Sequence, residues 1–285
     1  MKVAVLSDIH ANLPALETVV AHIETWGPDQ VIVAGDTVNR GPRPSECLNI
    51  ILEMEKTKGW RSIKGNHEDY VISQSNSIVP EGNPVFEVHK ASYWTYQKLN
   101  FDVSALAKMP FQYQIGNPTW LNGRVVHASM RGNRDGIYPE TTDNELELQI
   151  GKPPLLFCVG HTHRPLIRSI GKTLVVNAGS IGLPFDGDRR LSYAQLTYSQ
   201  GKWDAKIIRL YYDINAAVSD FTVTGYIENA GPLSKLVLIE LIHARSQLYN
   251  WARLYQSQVL AGEITMQASV NDYIKDHGYP SDIFR

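Results

Sequence analysis

Val3-Ala4-Val5-Leu6-Ser7-Asp8-Ile9-His10 is a strand-like apolar run that ends in two metal-type side chains, and the chain repeats this arrangement. Val31-Ile32-Val33-Ala34 precedes Asp36, and a third run stops at Ile63 before Asn66 and His67. Val125-Val126 delivers His127, and Leu155-Leu156-Phe157-Cys158-Val159 delivers His161 and His163. Short β-branched runs bounded by glycine have the character of buried strands. In open α/β sheets ligands bind beyond the carboxyl ends of the strands. Five strands are therefore expected to aim metal-type side chains at one rim.

Between these runs the period changes. Leu13, Leu16, Val19, Val20 and Ile23 recur at helical spacing up to Trp26-Gly27-Pro28, which stops a helix. A second helix is expected from about Ser45, as N-cap, through Leu48, Ile51, Leu52 and Met54 to a third strand at Trp60 to Ile63. This βαβαβ opening predicts a parallel sheet. Residues 69–109 read as an inserted helical cap broken by Pro80 and Pro84, whose His89, Tyr93 and Trp94 either line a pocket or face the core. From Phe111 short strands return with hairpin-like spacing, predicting a second sheet that is mixed or antiparallel. Beyond Tyr212 a stripe from Leu233 to Tyr255 predicts one long helix from near Pro232, docked on the rest or used for dimerisation. The expected organisation is a domain over 1–212 and a helical extension over 213–285.

Asp8 and His10, one residue apart, can face one side and chelate one ion. Asp36 stands one βα unit later, and its two oxygens suit it to bridge two cations, which in two-metal enzymes sit roughly 3.5 to 4 Å apart. Asn66 offers a neutral oxygen and His127 an imidazole, while His161 and His163 supply one nitrogen to each ion. A mixed oxygen and nitrogen set without thiolates points to a catalytic centre with open positions rather than a closed structural zinc site. Manganese is the first expectation, with iron, zinc, nickel or magnesium also suited.

Asp8-Ile9-His10, Gly35-Asp36 with Asn39-Arg40-Gly41, Gly65-Asn66-His67-Glu68, His127 and Gly160-His161-Thr162-His163 together resemble the signature of the calcineurin-like metallophosphoesterases, in order and spacing from residue 3 to about 198. The loop Asn177-Ala178-Gly179-Ser180-Ile181-Gly182-Leu183-Pro184 resembles one in small prokaryotic members. The resemblance implies a four-layer α/β/β/α sandwich of two mixed sheets. It implies Asp8, His10, Asp36 and His163 on one metal, and Asp36, Asn66, His127 and His161 on the other. His67 would be the catalytic histidine. Ala11, Ala128 and Ala178 stand where such members often carry Gly, Gly and Pro. None replaces a ligand, so the departures concern loop geometry.

Such a site suits phosphoester hydrolysis. Two cations neutralise phosphate oxygens and lower the pKa of a bound water, and His67 can protonate or steady the leaving oxygen. Arg40, four residues past Asp36, can clamp phosphate oxygens or form a surface ion pair; Arg131, Arg134 and Arg164, following His127 and His163, are further candidates at the rim. The expected activity is metal-dependent hydrolysis of a small phosphodiester, phosphomonoester or nucleotide by metal-activated hydroxide. Alternatives are a protein serine/threonine phosphatase, although Asn39 stands where those enzymes carry Asp, a dinucleoside polyphosphate hydrolase, and a non-enzymatic scaffold.

Composition bounds the partners. A formal net charge of -2 over 285 residues leaves no basic footprint, so nucleic acid is not expected as a partner. No apolar stretch reaches membrane-spanning length. Cys47 and Cys158 are too few for a disulfide framework and read as buried thiols of a reducing compartment. Met1 and Lys2 lead directly into the first strand, so no leader is expected and the cytoplasm is the expected location. A monomer or homodimer fits.

Overall fold

The computed structural model describes residues 1–116 and 122–284. Its opening follows from local chemistry. Strand β1 (Lys2–Leu6) alternates its side chains, sending Val3 and Val5 to one face and Ala4 and Leu6 to the other. Asn12 then accepts the Ala15 amide at the start of helix α1 (Leu13–Trp26), and Gly27, at φ 63°, closes it by donating to the Ile23 carbonyl. Strand β2 (Gln30–Val33) lies parallel to β1. Helix α2 (Pro44–Lys58) starts one residue before the expected cap: Pro44 needs no amide partner at the first helical position, and Ser45 donates to the Lys98 carbonyl instead. The third strand is shorter than expected, with β3 (Arg61–Ser62) pairing parallel to β2. Helices α3 (Asn66–Gln74), α4 (Pro84–Lys98) and α5 (Ser104–Lys108) fill the region expected to be helical.

The second sheet is built from β4 (Gln112–Ile115), β5 (Gly123–Val126), β6 (Leu156–Val159), β7 (Leu166–Ile170) and β8 (Thr173–Asn177), in the order β4-β5-β6-β8-β7. Parallel pairs β5-β6 and β6-β8 sit between antiparallel edges, so the sheet is mixed. The last two strands do not join it. β9 (Leu191–Ser199) runs antiparallel to β1, and β10 (Lys202–Leu210) covers β9, giving the first sheet the order β10-β9-β1-β2-β3. The reason lies in β9, which is apolar on both faces: Leu191 and Tyr193 join the α1 side, Ala194 and Leu196 the side facing the second sheet. Such a strand is buried only beside β1, where it also closes an open edge.

Four layers result. Ala4, Leu6, Val31 and Val33 pack under Leu16, Val19 and Ile23 of α1 and Cys47 and Ile51 of α2. Val3, Val5 and Ile32 meet Val125, Leu156, Cys158 and Val176 between the sheets. Val126, Phe157, Val159 and Val175 pack on Leu146 and Ile150 of helix α6 (Asp143–Ile150), which closes the far side. Truncating a buried residue such as Ile32 to alanine would cost about 2–5 kcal/mol. Both cysteines are buried free thiols.

After β10 come α7 (Ile214–Val223), α8 (Tyr226–Asn229) and α9 (Ser234–His243), with Phe221, Tyr226 and Leu238 packed on Trp94 of α4. Trp94 is thus core. The expected long helix is broken: α9 stops at Ala244, in left-handed conformation at φ 50°, and helical structure resumes at Leu248. The buried Glu240 carboxylate explains the break, because its Oε1 accepts the amides of Gln247 and Leu248 at 2.7 and 2.9 Å and folds the chain back. A π-helical turn at Ala252–Gln256 follows, then an α-helix over Met266–Asp276 and a 3-10 turn at Ser281–Phe284. Among the described residues no helix is long and apolar enough to cross a membrane.

Candidate functional site

The loops that leave the strands are laced together by backbone hydrogen bonds. Asp8, His10 and Ala11 donate to the carbonyls of Gly35, Asp36 and Thr37 at 3.0–3.1 Å, which fixes the post-β1 loop against the post-β2 loop. Ile181 and Gly182 donate to Ser7 and Asp8 carbonyls, and Ser180 Oγ to the Asp8 carbonyl at 2.7 Å, tying the second sheet's rim to the first. Asn177 adds bonds to the Gly160 carbonyl and Thr162 Oγ1. The Ala178 amide donates to the Val159 carbonyl at 2.9 Å, a bond proline would forfeit.

Lacing of this kind sustains strain. Asp8, His10, Ala11, Asp36, Asn39, Arg40, His161 and His163 all have positive φ, between 47° and 68°. Left-handed backbone costs L-residues roughly 1 kcal/mol or more each, and it persists only where the surroundings over-determine it, as at functional sites. Gly35 (φ 90°) shows how tight the site is, since a Cβ there would lie 2.7 Å from His127 Nδ1 and 2.8 Å from Gly65 Cα.

Three histidines have their tautomers set by backbone carbonyls. His127 Nδ1 donates to Ala34 at 2.8 Å, His10 Nδ1 to Asn39 at 3.3 Å and His163 Nδ1 to Leu183. Each therefore turns its Nε2 inward, the nitrogen that metal-ligating histidines offer. Asp36 Oδ2 lies 3.3 Å from His127 Nε2 and 3.7 Å from His10 Nε2, while Asp8 Oδ1 lies 3.3 Å from His163 Nε2. His10 and His163 bring their Nε2 atoms within 3.1 Å of each other. Asn66 Oδ1 sits 2.9 Å from both His127 Nε2 and His161 Nδ1. Donor atoms close enough to share an ion group as Asp8, His10 and His163; as Asp36, His127 and His161; and as His10, Asp36 and His67. The structure thus brings all seven sequence-predicted ligands together, with Asp36 between two clusters.

Burial dominates the electrostatics. It holds His10 well below the ordinary imidazole range, and holds His161 at about 4. For His127 burial also pulls downward, but the Asp36 carboxylate beside it prevails and pushes it up to about 10. Burial would raise Asp36, yet the surrounding imidazoles, His127 first, hold it well below the usual carboxylate range.

His67 lines the cavity above these groups. Its amide donates to Asp36 Oδ1 at 2.9 Å. The Arg40 amide donates to Asn39 Oδ1 at 3.0 Å, which fixes the amide so that Asn39 Nδ2 donates to His67 Nδ1 at 3.0 Å and to Ser92 Oγ. His67 Nδ1 is then an acceptor and the ring proton sits on Nε2. Burial lowers its pKa to about 3, so the ring is neutral. Asn39 and Glu68 were not assigned roles from sequence. Glu68, fully buried, accepts the amides of Gly65, Asp36, Thr37 and Val38, and so joins the loops carrying Asp36 and Asn66. Its signal was the Gly65-Asn66-His67-Glu68 run, where a glutamate three residues past a helix start caps that helix.

The arginines part company. Arg40 and Arg164 line the cavity, which has a volume of about 850 Å³. Arg40 Nη2 pairs with Glu240 Oε2 at 3.5 Å and lies 5.8 Å from the Phe185 ring; Arg164 binds the exposed Glu140. Arg131 is held by Asp135 and Glu145 beside a separate depression. Arg134 stacks 4.6 Å over Tyr70, itself in edge contact with His67.

The calcineurin-like phosphoesterase superfamily domain matches residues 1–201. A metallophosphoesterase of known structure from Sphaerobacter thermophilus is 28% identical, with a TM-score of 0.67 over 86% of this chain and 99% of its own. An uncharacterized protein of Methanocaldococcus jannaschii is 27% identical over 238 residues, 75% of this chain and 89% of the relative. Phosphodiesterase YfcE of Escherichia coli K12 is 26% identical over 196 residues, 69% of this chain and 87% of the relative. With this match across the strands that carry the histidine and carboxylate clusters, the chain belongs to the calcineurin-like phosphoesterase superfamily and is a hydrolase acting on ester bonds.

Proposed function

We propose that this hydrolase cleaves a small phosphodiester, phosphomonoester or nucleotide at a dinuclear centre. One observation carries the reading. Asp8 Oδ1 is fully buried without a hydrogen-bond partner, and it faces imidazole nitrogens whose opposite nitrogens are already committed to carbonyls. Unshared electron pairs facing each other in a buried site require a positive charge between them. The donor set fits divalent cations: Asp8, His10, Asp36 and His163 would hold one, and Asp36, Asn66, His127 and His161 the other. Bound there, such cations supply neutralisation of phosphate oxygens and a lowered pKa for water, manganese being our preferred choice.

The chain's own groups complete the chemistry. His67, neutral and protonated at Nε2, donates a hydrogen bond to the oxygen that departs, steadying its charge. Asn39 keeps that tautomer. Arg40, restrained by Glu240 and packed near Phe185, presents a guanidinium to non-bridging phosphate oxygens. The cavity is walled by Tyr70, Val88 and residues of the 233–256 region, which suits a small molecule better than a phosphoprotein chain. The name of the Escherichia coli relative, a phosphodiesterase, supports including diesters.

The test is direct. Protein stripped with a chelator should lose hydrolysis of bis(p-nitrophenyl) phosphate and p-nitrophenyl phosphate and regain it with manganese. His67→Asn should keep its cations while turnover falls about 10²- to 10⁴-fold. Hydrolysis indifferent to chelation would refute the reading.

A further inference from the structure

About two fifths of the residues lining the cavity lie beyond 201, outside the family's matched span. There the chain folds back after Ala244, and Arg245, Ser246 and Tyr249 line the cavity together with Tyr138, His161 and Arg164. Tyr249 is 66% exposed, and Tyr138, which lines the same cavity, is 44% exposed. Burial first, and then the Tyr249 phenol, pushes the Tyr138 hydroxyl upward. Tyrosine rings that line a cavity and stay open to water offer flat apolar faces on which an aromatic ligand can lie. Two cations accompany them. Among the described residues Arg164 pairs only with the exposed carboxylate of Glu140, and Arg245 has no side-chain hydrogen bond or ion pair although it packs against Gly187.

We propose that Tyr138, Tyr249, Arg164 and Arg245 form a second subsite that recognises the aromatic base and outer phosphate charge of a nucleotide, making this enzyme a nucleotide phosphoesterase. The proposal deepens the functional reading above and rests on it for the position of the scissile phosphate. Phosphate at the metal-ligand cluster would leave the ester group in the cavity that the two tyrosines also line, which at about 850 Å³ has room for a nucleoside. An aromatic base gains by lying on the tyrosine rings, and the arginines meet the charge of an outer phosphate. Hydrolysis itself adds water across one phosphorus–oxygen bond, the proton going to the departing oxygen.

Calorimetric titration of the full chain tests this without depending on turnover. Adenosine 5′-diphosphate, adenosine 5′-monophosphate and methyl phosphate are compared in the manganese-loaded wild type, Tyr249→Ala and Arg245→Ala. The wild type should prefer the monophosphate nucleotide over methyl phosphate by at least tenfold. Tyr249→Ala should remove most of that preference and Arg245→Ala should weaken the diphosphate severalfold relative to the monophosphate, with circular dichroism unchanged. Equal affinity for adenosine 5′-monophosphate and methyl phosphate in the wild type, or both discriminations intact in the variants, would overturn the subsite. A nucleotide preference that responds to the variants in a protein that hydrolyses no phosphoester would refute the functional reading and leave the subsite standing.

Discussion

Ala11 shows how far a single position can reveal the demands of a site. It adopts φ 52° and donates to the Thr37 carbonyl, so its methyl group is held in a backbone region that glycine enters without penalty. Ala11→Gly should therefore raise stability by up to about 1 kcal/mol, the relief of strain exceeding glycine's greater chain entropy. A urea midpoint measures this, and a loss of more than about 1 kcal/mol would show that the methyl packs favourably. His127 yields a pH prediction. With Asp36 pushing its pKa up to about 10, it is protonated at neutral pH in protein without cations. Cation binding needs the Nε2 pair, so loading near pH 7–8 should release about one proton per chain, and apparent affinity should rise about tenfold per pH unit up to the His127 pKa. The sign for stability follows. A raised histidine pKa stabilises the fold fully below the unfolded value near 6.5 and loses that contribution as pH climbs through about 10. Chelated protein should weaken over this window and loaded protein should not, which thermal melts in matched buffers would show.

At the scale of elements, strand ends were legible because apolar runs and metal-type residues coincide in the sequence: β1, β2, β5 and β6 each end just before their predicted ligands. The capping Gly27 was equally plain. What could not be read was pairing between distant segments. Nothing local in Leu191–Ser199 says that β9 returns to the edge of β1, and a continuous apolar stripe concealed the break after α9. That break depends on Glu240, whose charge is buried beneath two amides and Arg40. Glu240→Ala should cost about 3 kcal/mol or more, by orphaning both amides and leaving Arg40 without its partner. Glu240→Gln, which still accepts the amides through Oε1, should lose roughly half as much. Equal losses in the two variants, measured by chemical denaturation, would show that the amide bonds are not what hold the turn.

Across the whole molecule, the sandwich acts as a frame that brings loops from five strands to one rim. Every residue of the predicted ligand set was visible beforehand as a residue type at a strand end, while the tautomers, the strain and the Asn39 and Glu68 contacts emerge only once the loops are laced together. The same lacing explains why cations should matter to the fold as well as the chemistry. Buried Asp8 and Asp36, both in strained backbone, would be relieved by positive charge, and saturation at 100 times the dissociation constant would add about 2.7 kcal/mol per site. If the two clusters share Asp36 and hold a pair of ions, metal content per chain, measured by mass spectrometry after dialysis against manganese, should be two in the wild type. Asp36→Asn should retain one or none and hydrolyse no phosphoester; a wild type that hydrolyses phosphoesters while retaining no metal would rule the dinuclear centre out.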